Sequence, residues 1–377
     1  MDKHIENKTT GLERRETFLE STAVEEHVTV GSELPAESEG THIRERTSGP
    51  FQTKKARRKY WFIMAGLSVA ALVFTWGLIW YSNPMPVGHP GFALIAERRM
   101  ESVVVMAIVA FCQGIATVAF QTVTNNRILT PSIMGFESLY TVIHTSTMFL
   151  FGTTAFLATR GLELFVGQMA VMILLTLVLY TWLLTGKGGN MHAMLLVGII
   201  IGGGLGSVST FMQRTLTPSE FDVLSARLFG SVNNADTQYF PVAIPMIAIA
   251  GVLLILNSRK LNVIALGRDA TTNLGVNHKL LSVYTLILVS VLMAVSTSLV
   301  GPMTFLGFLV ATLAYQFADT YDHRFIFPMA ALTGFVVLTG SYFIMNHIFR
   351  AQGVVSIIIE LIGGTVFLIV ILRKGRL

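Results

Sequence analysis

From residue 60 onward the chain alternates long apolar runs with short polar breaks. The runs cover 60–81, 102–123, 132–157, 162–185, 191–212, 239–257, 279–299, 302–318, 325–345 and 354–372. A helix of about 20 apolar residues crosses roughly 30 Å of hydrocarbon, and these runs are of that length. Membrane β-strands would show alternating segments of about ten residues, and the runs do not alternate. The pattern predicts an all-α polytopic membrane protein with about ten transmembrane helices.

An even number of crossings puts both termini on one side, and the basic residues say which. With the termini inside, the inner segments beside the runs carry fifteen Lys or Arg, from Lys54 through Arg127, Arg268 and Arg324 to Arg376. The outer segments carry six: Arg98, Arg99, Arg160, Arg214, Arg227 and Arg350. Basic residues accumulate on the cytoplasmic side. The N- and C-termini are therefore expected in the cytoplasm and the chain in the cytoplasmic membrane.

Two connections exceed a turn. The outer one, 213–238, suits a short interfacial helix. The inner one, 258–278, begins SRKLNVIALGRDATTNLGVN; its polar ends and apolar centre suit a pair of short helices docked on the cytoplasmic surface. The shorter break TNNRILTPSIMGFES (124–138) has its own logic. Asn125 and Asn126 suit a helix end, where left-handed backbone and free carbonyls favour polar residues. Thr130 and Pro131 suit the N-cap and first position of the next helix. Gly135 permits close packing, and Glu137 lies where a helix N-terminus favours negative charge.

Composition sharpens this picture at the N-terminus. Of 377 residues 52% are hydrophobic and 13% charged, against about 25% charged in soluble proteins. Residues 1–53 hold eleven of the 22 acids but six of the 27 basic residues, and lack apolar periodicity. This segment is expected to be a disordered acidic cytoplasmic tail, with no apolar signal core and no cleavage. The remainder, 54–377, forms the membrane domain, entered through KKARRK at 54–59, a topology anchor and not a nucleic-acid site.

The spans hold little reactive chemistry. The single cysteine, Cys112, lies inside an apolar run and reads as a small buried hydrophobe. Gln113, Thr117, Gln121 and Thr124 share one helix face. Two readings stay open for this stripe, the lining of a translocation path or interhelical hydrogen bonds in a packed bundle; two glutamines on one face favour Gln113, Thr117 and Gln121 as path residues. Gly198, Gly202 and Gly206 recur every four residues, a spacing that lets helices approach closely. Glu137 and Glu360 are the deepest acids, the only candidates for the coupling group of a secondary carrier. The histidines and methionines show no ligand spacing, so no metal and no cofactor is expected. TGKGGN (185–190) lacks the upstream glycine and the Ser/Thr of a phosphate loop. Any ATP must bind a separate subunit.

Several stretches together resemble the FecCD-type permease subunits of binding-protein-dependent ABC importers for iron–siderophore complexes and cobalamin. Gln121 followed by TVTNNRILTPSIMG is similar to that family's Q-x3-RNPLA-x-P-x-x-LG signature. ALGRDATTNLGVN (265–277) resembles its LG-x4-A-x-x-LG segment, and GPMTFLGFLVATLAYQF (301–317) its GPI-x-F-x-GL block. QGVVSIIIELIGGTVFLIVILRKGR (352–376) resembles its closing stretch. The family's Pro-His after the GL block is Ala311-Thr312 here, its following Arg is Tyr315, and the second Arg of its R-x-x-R is Ser102. The form TNNRxLTPSIMG resembles the Gram-positive branch serving catecholate siderophores.

The resemblance implies a ten-span fold, import of a ferric siderophore and no enzymatic activity of its own. Cobalamin and haem remain alternative substrates, and a proton-coupled secondary carrier is the rival outside the family. It implies an ABC ATPase dimer, an extracytoplasmic siderophore-binding protein and a second permease subunit as partners, within the lipid bilayer and without nucleic acid. It assigns Leu266, Gly267, Asp269, Leu274 and Gly275 to ATPase coupling. Arg98, Arg99 and Arg350 would meet the binding protein, and Asn190, Met191 and His192 would lie at the cytoplasmic gate.

Overall fold

The computed structural model describes residues 49–158, 161–185, 191–349 and 355–374. The elements among them are helices: α1 (Lys54–Trp80), α2 (Pro90–Val123), α3 (Phe136–Ala158), α4 (Leu162–Thr185), α5 (Met191–Thr215), α6 (Pro218–Leu228), α7 (Phe240–Leu256), α8 (Ser258–Ile264), α9 (Arg268–Asn273), α10 (His278–Val300), α11 (Leu306–Ala318), α12 (His323–Phe343) and α13 (Val355–Lys374). Six are long and apolar enough to cross a membrane: α1, α2, α5, α7, α10 and α12. The outer connection forms α6, started by a capping box between Thr217 and Glu220. The inner one forms the short pair α8 and α9. Both connections thus hold short helices.

Helices α2 and α10 form the centre. In each, 78% of the apolar window is buried within the chain, against 22% in α1 and 28% in α5. The outer helices therefore present apolar side chains such as Phe62, Leu72 and Phe211 away from the bundle, where lipid or another subunit meets them. Helix α12 lies antiparallel on α2 through reciprocal small residues. A Cβ added to Gly114 would lie 3.1 Å from the Ala330 backbone, and one added to Gly334 would lie 3.2 Å from Ala110 Cβ. Small residues four apart on each helix allow this approach. Cys112 is fully buried in the same core.

Three boundaries differ from the hydropathy pattern. Helix α2 starts at Pro90, twelve residues before the apolar run, with His89 capping Gly91 N and proline at the first position. At 1.5 Å per residue its 34 residues span about 51 Å, so its first turns stand clear of the hydrocarbon. The third helix starts later than Thr130–Pro131 suggests. Residues Ser132–Met134 make a short 3-10 turn, and the α-helix begins at Phe136. Between them Gly135 has φ 98° and packs against Gly202 of α5; a Cβ on Gly202 would come within 3.0 Å of Gly135 Cα. Gly198 faces Met134 in the same way, whereas Gly206 faces open space. Packing also begins before residue 54: Phe51 is buried against Tyr60 and Phe325.

The runs 279–299 and 302–318 are separated by an irregular stretch at Gly301–Phe305. Gly301 has φ 89°, and Pro302 lacks the N–H that a continuing helix needs. The freed Val300 carbonyl accepts from Ser231 N at 2.8 Å. Thr304 Oγ1 donates to Glu137 Oε2 at 2.5 Å, tying the break to the start of α3. An irregular segment at this depth is tolerated because protein surrounds it.

Candidate functional site

At one end of the bundle meet the start of α1, the end of α2, the start of α12 and the α8–α9 pair. Helices α8 and α9 form a small knob. Thr271 Oγ1 lies 3.0 Å from Val263 O and 2.6 Å from Gly267 O, stitching the two helices together. Leu261 and Ile264 are buried beneath the knob, whereas Leu266 and Leu274 are 63% and 60% exposed. Exposed leucines on a rigid, polar-flanked knob are the anchors a partner surface would cover. Gly267 and Gly275 close the two short helices, their N–H groups donating to Ile264 O and Thr272 O. Asp269 stands exposed in the first turn of α9. The structure thus gathers the five predicted coupling residues into one knob.

Beneath the knob lies a polar network that sequence patterns leave unmarked. His323, at the start of α12, contacts Asn262 of α8 and Thr122 of α2. Asp322 caps α12 and takes Arg324 in a forked ion pair of 2.6 Å. Burial opposes ionisation of Asp322, but hydrogen bonds from Arg324 and Asn262 outweigh it and hold the pKa below the usual value. The neighbouring turn is closed by Gln121, whose Nε2 donates to Arg127 O at 2.7 Å, and by Asn125 in left-handed backbone at φ 50°. The Arg127 guanidinium lies 4.5 Å from the centre of the Tyr315 ring.

The opposite end carries the outer arginines, and they divide. Arg99 turns inward: Nη1 donates to Leu78 O, Ile79 O and Tyr81 O, and Nη2 to Ser82 O, at 3.0–3.3 Å. It caps the C-terminus of α1, where free carbonyls and the helix dipole favour a cation. Nη1 and Nη2 of Arg99 are thus engaged by backbone carbonyls of the chain itself. Arg98, one residue earlier on the helix, has its side chain 78% exposed. It rims a cleft of about 330 Å³ together with Glu101, Arg227, Asn233 and Asp236. Arg227, from α6, is a second basic group there. Arg350 and Asn190 lie outside the described residues, and Met191 and His192 open α5 with side chains that are not described.

The stripe on α2 lies inside the bundle. Gln113, Thr117 and Gln121 are at most 2% exposed. Gln113 Nε2 donates to Ser296 Oγ of α10 at 3.4 Å. Gln113 Oε1 and Thr117 Oγ1 crowd Gly307 at the start of α11. Within the single chain these side chains are covered by its own helices.

These features define a multi-pass helical membrane protein with a knob of two short helices at one end and a charged cleft at the other. The chain belongs to the FecCD transport family, whose model matches residues 59–373. It is 54% identical over 336 residues to the Petrobactin import system permease protein FatC of Bacillus anthracis, covering 89% of this chain and 95% of that one. It is 36% identical over 279 residues to the Petrobactin import system permease protein YclO of Bacillus subtilis (strain 168), covering 74% and 89%. In fold it matches a chain assigned to a metal-chelate type ABC transporter in an inward-facing conformation, with TM-score 0.69 and 18% identity over 83% of this chain and 99% of that one. The protein is a multi-pass membrane permease subunit of an ABC importer, a transport component and not an enzyme.

Proposed function

We propose that this permease carries a ferric siderophore of the petrobactin type across the cytoplasmic membrane. The observation that carries the reading is the 54% identity to a petrobactin import permease over 89% of the chain. Iron arrives already wrapped in its chelator, so the path needs shape and polarity in place of metal ligands. An extracytoplasmic binding protein delivers the chelate, a second permease subunit completes the path, and a separate ATPase dimer drives alternating access.

Ten crossings with cytoplasmic termini are supported by ten helices, α1–α5, α7 and α10–α13, overlapping the ten apolar runs. The gathering of Lys54–Lys59, Arg127, Arg324 and the knob at one end agrees with a basic inner face. Leu266, Gly267, Asp269, Leu274 and Gly275 form the surface the ATPase grips, and its movement passes to the spans as a rigid body. Arg98 and Arg350 meet acidic residues of the binding protein, with Arg227 beside Arg98; such exposed pairs contribute steering and register. Asn190, Met191 and His192 form the cytoplasmic gate, and the acidic segment before Phe51 is a cytoplasmic tail outside the permease domain.

The test is uptake in cells holding this permease as their only route for chelated iron. Ferric petrobactin should enter, whereas haem and cobalamin should not. Uptake of haem or cobalamin without ferric petrobactin would overturn the substrate assignment.

A further inference from the structure

The knob is joined to the membrane helices by one hydrogen-bonded junction whose members are far apart in sequence. Asn262 Nδ2 donates to Asp322 Oδ1 at 3.1 Å, which fixes the amide so that Oδ1 faces His323. That oxygen accepts from His323 N at 3.0 Å and lies 2.5 Å from His323 Nδ1. Nδ1 therefore carries a proton toward Asn262. Across the ring, Nε2 lies 2.6 Å from Thr122 Oγ1, in the last turn of α2; the one proton of that hydroxyl is shared between Nε2 and Val118 O, 2.8 Å away. One imidazole thus bridges α8 of the knob and α2, while its own backbone starts α12.

The rest of the attachment has a different character. Leu261 and Ile264 hold the knob by apolar burial, which is non-directional and permits sliding. The Asn262–His323–Thr122 bonds are directional and fail within a few tenths of an ångström or a few tens of degrees. The ring and the Thr122 side chain are 3% and 7% exposed. At such depth an apolar trio of the same shape would serve packing alone as well. The polar trio adds a fixed register between the knob and two central helices.

We propose that His323 is a positioning residue for transport: through Asn262 and Thr122 it passes displacement of the knob to α2 and α12. This rests on the reading of 258–278 as the ATPase-coupling loop. The test uses the whole importer in proteoliposomes, with permease, ATPase and binding protein, and measures chelate moved per ATP hydrolysed. Thr122→Val keeps the shape and loses the hydroxyl; Thr122→Ser keeps the hydroxyl. Thr122→Val and Asn262→Ala should each lower transport per ATP by about tenfold, with the ATPase still co-purifying. Thr122→Ser should restore the ratio, and the double variant Thr122→Val/Asn262→Ala should be no worse than either single one, since both act through one ring. An unchanged ratio in Thr122→Val, equal loss in Thr122→Ser, or additive losses in the double variant would each overturn the proposal. If Asn262→Ala does not assemble, Thr122→Val and Thr122→Ser decide the matter, because Thr122 lies outside the knob. A failure of the loop reading itself shows separately, as an ATPase that still co-purifies with Leu266→Asp.

Discussion

The two ends of α2 use polar side chains in opposite ways. At its N-terminal end Arg99 bonds four carbonyls of α1 and the turn after it, fixing one helix end to another. At its C-terminal end Thr122 meets His323, which bonds a knob whose leucines stand exposed. The first arrangement is complete within the chain; the second adjoins an exposed apolar surface. On the proposed function, anchoring and coupling are separated along one helix of about 51 Å.

The largest effect that can break this contrast is expected at the knob. Leu266→Asp or Leu274→Asp should weaken ATPase association about 30-fold or more, the loss typical of an anchor residue at an interface. Pull-down of the ATPase at graded concentrations reads it, and undiminished capture would remove the knob from the coupling role. Next comes the turn that follows α2. Gly202→Leu would overpack the contact with Gly135 and should cost about 1–3 kcal/mol, read as a lower melting temperature in detergent. Gly206→Leu, facing open space, should leave the melting temperature in place.

The outer arginines sharpen the comparison. Arg99→Ala should destabilise the chain by about 1–2 kcal/mol, since water replaces part of the lost bonding at a half-exposed helix end. It should leave the salt dependence of binding-protein association unchanged. Arg98→Ala should do the reverse: an unchanged melting temperature, and association slower by a few-fold with a weaker salt dependence. If the two variants exchanged these signatures, the division of labour between neighbouring arginines would be wrong. The smallest effect concerns pH. Asp322 has its folded pKa depressed, so its contribution is present above the unfolded carboxylate value and is lost as pH falls through the folded one. Melting curves of Asp322→Asn and the parent chain should therefore converge in acid and separate at neutral pH.

Much of this architecture is legible in the sequence because lipid imposes a simple rule on composition. The apolar runs, the short helix after Thr217 and the paired helices at 258–278 follow from local pattern. The start of α2 does not, because Glu97, Arg98, Arg99 and Glu101 interrupt hydropathy without interrupting the helix; the His89-Pro90 start was the available signal. The partners of Arg99 and His323 are tertiary facts, set by which helix ends the fold brings together. Ala110 and Gly114, with Ala330 and Gly334, show small-residue spacing on their own helices, but only the packed structure pairs them. The α2 stripe was ambiguous for a related reason. Periodicity shows that Gln113, Thr117 and Gln121 share a face, and says nothing of what covers it.

The central claim is that an ATPase gripping the knob drives chelate through this permease. It is tested most directly by loading proteoliposomes that contain the assembled importer with ATP and following entry of ferric petrobactin from its binding protein. The account predicts uptake that requires ATP, persists with a protonophore and disappears when Leu266→Asp and Leu274→Asp are combined. Uptake without ATP, or uptake abolished by the protonophore while ATP is held constant, would contradict it and return Glu137 and Glu360 to the centre of the mechanism.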